Sequence, residues 1–133
     1  MVYHALIRTH HISSRKKVAV LKAAAKKLQC FALLRCSGVP GVMYVQGESK
    51  AAVQSWVDTV HRLRYKDYQL VAPVSEACGG PDCSSQGGKQ MVMLGEAGVL
   101  EEVERVKDMA LRIVERGDPK IMEWWRKAMG FVG

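Results

Sequence analysis

Carboxylates are scarce in the first part of this 133-residue chain: residues 1–77 hold four Asp and Glu against twelve Lys and Arg, a balance of +8. Residues 78–133 hold nine against eight, a balance of −1, and all four histidines lie in the first part. A one-sided basic surface is what an anionic partner selects, although solvated helices are also often basic. Long apolar runs are missing as well. Nothing approaches the ~20 apolar residues of a membrane span, and Met1–Arg8 carries no charged segment ahead of an apolar one, as a secretory leader would. The expected localisation is nuclear or cytoplasmic, with no membrane partner. Cysteine is limited to Cys30, Cys36, Cys78 and Cys83, with five and four residues inside the two pairs and no histidine near the second. That spacing is poor for a zinc site, and a chain of this length with 48% apolar residues needs no disulfide scaffold. Free thiols, no metal and no cofactor are expected.

What is present is a chain with readable periodicity. Phe31–Cys36 and Val42–Gln46 are β-prone runs flanking Ser37-Gly38-Val39-Pro40-Gly41, whose residue types favour chain reversal, so a central hairpin is expected there. Before it, Val2–Ile12 reads as a strand, and Ser13 and Ser14 are placed to cap a helix over Arg15–Gln29. Val18, Leu21, Ala25 and Leu28 form that helix's apolar stripe, with lysines 16, 17, 22, 26 and 27 off it. After the hairpin, Glu48 and Ser49 open a second helix over Lys50–Tyr65, and Tyr68–Val74 reads as a last strand. The order β-α-β-β-α-β is the split repeat of the ferredoxin-like α+β sandwich. Residues 1–77 are therefore read as a ferredoxin-like core and 78–90, rich in Gly and Ser, as a flexible linker. Residues 91–133 read as a helical appendage packing on the core, with helices over Ala97–Arg116 and Lys120–Met129.

Two helices cover one sheet face, which leaves the other to be described from alternation. That second face would present His4, Arg8, His10, Phe31, Arg35, Tyr44 and Gln46, a mixture of basic and aromatic groups. A one-residue register slip inverts the set. The face either stays open or is covered by the appendage through Trp124 and Trp125, in which case Phe31 and Tyr44 are ordinary core.

Three stretches carry a resemblance: His10-His11-Ile12 before Arg15-Lys16-Lys17, the segment Gly38-Val39-Pro40-Gly41-Val42-Met43-Tyr44-Val45-Gln46-Gly47, and Leu63-Arg64-Tyr65. Together they resemble the C-terminal domain of the spliceosomal Prp-type tri-snRNP splicing factor, shared with RWD-domain-containing (RWDD) proteins. The resemblance covers residues 3–75, with Gln46 where the family usually has Glu. It implies a ferredoxin-like fold and contact with small nuclear RNA, and it points to His11 as a contact residue.

Catalytic readings find little to stand on. No asparagine occurs in the chain, which removes the water-orienting amide of an acylphosphatase-like site. Neither a phosphate-binding Gly-x-x-x-x-Gly-Lys loop nor a Gly-x-Ser-x-Gly elbow is present, and Ser13/Ser14 with His10/His11 have no carboxylate in sequence reach. The expectation is a non-catalytic RNA-binding domain for single-stranded or structured small RNA, with phosphates held by Arg8, His10, His11, Arg15, Lys16, Lys22, Lys26 and Arg35. The alternative is a protein-interaction module anchored by Trp124 and Trp125, with no nucleic-acid role.

Overall fold

Strand β3 (Gly41–Gly47) is buried along its whole length, and the sheet is arranged about it. The structure, a computed structural model, describes residues 2–36, 38–77, 93–117 and 119–130. In chain order these form β1 (Tyr3–Thr9), α1 (Arg15–Leu28), β2 (Phe31–Arg35), β3, α2 (Lys50–Arg62), β4 (Gln69–Glu76), β5 (Leu100–Val103), α3 (Val106–Arg116) and α4 (Pro119–Met129). The result is an α+β fold with one five-stranded mixed sheet, in the order β4-β1-β3-β2-β5. Strand β3 pairs antiparallel with β1 on one side, Tyr3 facing Gly47 and Thr9 facing Gly41, and with β2 on the other, Phe31 facing Gln46. Gly41 is required at its place, since a side chain there would collide with Thr9 and Ile12.

Alternation along these strands builds two cores. Ala5, Ile7, Ala32, Leu34, Met43 and Val45 meet Val18, Leu21 and Ala25 of α1 and Val53, Trp56, Val57 and Val60 of α2. Each of these helices starts where the serines require it. Ser14 Oγ accepts the Lys17 amide at 3.2 Å and Ser49 Oγ accepts that of Ala52 at 3.2 Å, satisfying amides that have no partner within the first turn. The Trp56 indole N–H donates to the Leu21 carbonyl at 3.2 Å, which joins the two helices through their buried faces.

On the opposite face Leu6, Phe31, Leu33, Val42 and Tyr44 are covered by Leu94, Val103, Met109, Ile113, Ile121, Trp125 and Met129. Phe31 and Tyr44 lie on the face that alternation assigns them, whereas His10 lies past the end of β1, and the face is closed: Phe31 and Tyr44 are fully buried. At about 1.5–3 kcal/mol per large apolar side chain, an upper figure, uncovering these twelve residues would cost on the order of tens of kcal/mol. The α3–α4 layer is part of the fold.

The helix expected over Ala97–Arg116 is half replaced by a strand. Leu100–Val103 pairs parallel with β2, Ala32 facing Leu100 and Arg35 facing Val103, and the helix begins only at Val106. The three-residue spacing of Leu100, Val103 and Val106 suits one helix face. It equally suits a strand that shows Leu100 to the first core and Val103 to the second. Gly98, at φ +89°, donates its N–H to the Cys30 carbonyl at 2.9 Å and turns the chain into the new strand. The stretch 91–133 is thus not purely helical, because it adds an edge strand to the sheet. The linker read over 78–90 lies outside the described residues, as do Cys78 and Cys83.

Candidate nucleic-acid interface

Helix α1 carries Arg15, Lys16, Lys17, Lys22, Lys26 and Lys27 and no acidic residue of its own. Among the described residues one carboxylate from another element is ion-paired to it. Glu102 on β5 accepts a two-pronged contact from the Arg15 guanidinium, at 2.7 and 2.9 Å, and lies 3.5 Å from Lys22 Nζ. Hydrogen bonding from Arg15 is the main reason that Glu102 is held down to about pKa 2, with Cys36 and Lys22 adding to it. Burial, and then the neighbouring Glu102, push the Cys36 thiol up to about 12. Cys36 and Cys30 are free thiols, and burial raises Cys30 to about 11. Lys17 points its ammonium over the Tyr65 ring, 4.8 Å from the centroid.

Lys16, Lys26 and Lys27 are exposed, and none enters an ion pair among the described residues. Lys16 and Lys26 are ten residues apart, about 15 Å along the helix axis. On the outward side Val20 is exposed, beside a shallow groove of about 470 Å³ between α1 and α2 that also includes Ala23, Lys27, Asp58 and Arg62.

The remaining expected contact residues divide. The strand ends at Thr9, so His10 and His11 lie beyond it, both exposed; His10 Nδ1 is 3.4 Å from Asp67, and its backbone N–H donates to Lys66. Asp67 is the carboxylate that sequence proximity could not supply to His10. Ser14, however, is occupied by its capping contact with Lys17. Arg8 is half-buried on β1, flanked by Val42 and Gln69. Arg35 is a clamp: its Nε donates to the Glu104 carbonyl at 3.0 Å and its Nη1 to that of Pro40 at 2.8 Å, which ties the β2–β3 connection to the end of β5. The structure thus places the two histidines in the connection after β1, Arg15 and Lys16 at the start of α1, Lys26 near its far end, and Arg8 and Arg35 half-buried.

Neither tryptophan forms an exposed anchor. Trp125 is buried, and Trp124 is half-buried with its ring stacked on His4, 3.8 Å between centroids and 19° between planes. Beneath Trp124 lies a chain of polar groups that sequence reasoning missed. Gln46 Nε2 donates to the Tyr44 hydroxyl at 3.0 Å, which directs the hydroxyl proton to His4 Nδ1 at 2.8 Å, and Gln46 Oε1 accepts the Leu94 N–H at 2.7 Å. Burial lowers the His4 pKa to about 4. Only the Tyr44–Gln46 link is local; the contacts with His4 and Leu94 span 40 and 48 residues, so no local signal announces the network.

Compared with protein-family models and with curated proteins, the chain matches none. What fold and surface define is an α+β protein whose sheet is covered on both faces and whose most basic element is a single helix. Among the described residues no group of three His, Cys, Asp or Glu side chains is arranged to hold a metal ion, and no helix is long and apolar enough to cross a membrane.

Proposed function

We propose that this chain is a non-catalytic RNA-binding domain similar to the C-terminal domain of the tri-snRNP splicing factor. In this reading β1 to β4 with α1 and α2 form a ferredoxin-like unit, strand order 4-1-3-2, extended by β5 and the two last helices. The observation that carries it is the charge on α1: among the described residues its six cations have one ion-paired carboxylate, Glu102, and three exposed lysines have none. Such a helix attracts a polyphosphate and gains free energy from counterion release. Stacking of unpaired bases is not the main source of affinity. Of the aromatic side chains described, Phe31, Tyr44, Trp56, Tyr65 and Trp125 are buried, and Tyr3, Tyr68 and Trp124 are half-buried. Phosphate contacts from Lys16, Lys26 and Lys27, joined by His11 and by Arg15 and Lys22 if they exchange Glu102 for phosphate, supply the binding.

Fluorescence anisotropy with labelled single-stranded RNA, duplex RNA and single-stranded DNA, each at low and moderate salt, tests the reading. About four phosphate contacts predict that affinity for the preferred RNA falls roughly a hundredfold over a fourfold rise in salt. Weak binding that ignores nucleic-acid type and vanishes at modest salt would refute it.

A further inference from the structure

A second surface lies on the opposite side of the sheet from α1. Helices α3 and α4 leave between them an open groove of about 830 Å³ whose floor is Val106, Ala110, Met122 and Trp125. One wall carries Lys107 and the other Arg126; among the described residues no carboxylate lines the groove. Both cations are exposed and neither enters an ion pair among the described residues. Their neighbours differ: Arg105 holds Asp108, Arg112 and Arg116 approach Glu101, and Lys127 approaches Glu123. The apolar floor continues outward along α3. Leu111 and Val114 are 43% and 56% exposed, one helical turn from Lys107 and Ala110 respectively.

An apolar strip two to three turns long, with a cation on each bank, is complementary to a helix presenting apolar anchors at i, i+3, i+4 and i+7 between flanking carboxylates. Basic residues without partners exclude a basic helix and disfavour another copy of this cationic chain. We propose that the α3–α4 groove is a docking site for an acidic amphipathic helix of a partner protein. The site is independent of α1, so RNA and partner occupy opposite sides of the molecule at once.

The test is a titration of isotope-labelled protein spanning residues 1–133 with two synthetic helices of about three turns, each with Leu anchors, one flanked by Glu and one by Lys, read by backbone amide shifts. Shifts from the Glu helix confined to Val106–Val114 and Met122–Gly130, and absent with the Lys helix, are expected. Exchanging the two exposed cations in K107E/R126E should invert the preference, each change being about tenfold or more. Circular dichroism confirms that this surface variant is folded. Four results would overturn the proposal: no binding of the Glu helix, binding lost in K16A/K26A/K27A instead, binding tightened more than about tenfold by deletion of residues 131–133, which would make those residues the occupant, or a dimer in sedimentation that L111E dissolves.

Discussion

Two buried tyrosines show how differently one hydroxyl can behave. The Tyr44 hydroxyl accepts from Gln46 and donates to His4, whereas that of Tyr65 has no hydrogen-bond partner among the described residues. Tyr44→Phe leaves two buried polar groups unpaired and should lower stability by about 1–3 kcal/mol, while Tyr65→Phe should leave it unchanged or raise it; urea unfolding of both variants makes the comparison. His4 adds a pH dependence. Its folded pKa, about 4, lies below the usual histidine value of 6.5 because burial disfavours the imidazolium. The unfolded chain therefore binds the proton more readily, so this contribution is fully present above pH 6.5 and is lost as pH falls towards 4. Up to about 3 kcal/mol is at stake, and His4→Phe should flatten that part of the profile. The sheet face on which His4, Tyr44 and Gln46 lie was legible from alternation. The bonds that close the network were not, because they join β3 to His4 of β1 and to Leu94.

At the scale of elements, Glu101 and Glu102 show why β5 was hidden. In a helix they would be neighbours on one surface; in the strand they face opposite sides of the sheet, Glu101 towards Arg112 and Arg116 of α3 and Glu102 towards Arg15 and Lys22 of α1. The local pattern fitted both, and pairing with β2 decided it. The helices α1 and α2, by contrast, were legible to within a few residues because serine caps and long apolar stripes agree. Among the described residues Glu102 is also the one carboxylate ion-paired to α1, and its removal separates structure from binding. Glu102→Gln should reduce stability modestly, through a weaker hold of β5 on α1, yet tighten RNA binding. The freed Arg15 and Lys22 should steepen the salt slope by about one to two, measured by anisotropy over a salt series. Unchanged affinity would mean that neither cation faces the RNA.

The charge imbalance between residues 1–77 and 78–133 becomes, in the folded molecule, a difference between two sides of one sheet. On the α1 side cations outnumber their partners; on the α3–α4 side Glu101, Asp108 and Glu123 answer most of theirs. This asymmetry could be counted from composition, but its placement needed the strand order, which puts α1 and α3 on opposite faces. Net charge alone would attract RNA to any variant of equal charge, so the decisive comparison holds charge constant. The salt dependence of RNA affinity should be measured for the wild type, for K16A/K26A/K27A and for K107A/R126A/K127A, each variant lacking three positive charges. A phosphate-binding α1 predicts a salt slope flattened by about two to three in the first variant and unchanged in the second. Equal flattening in both, or none in the first, would contradict it.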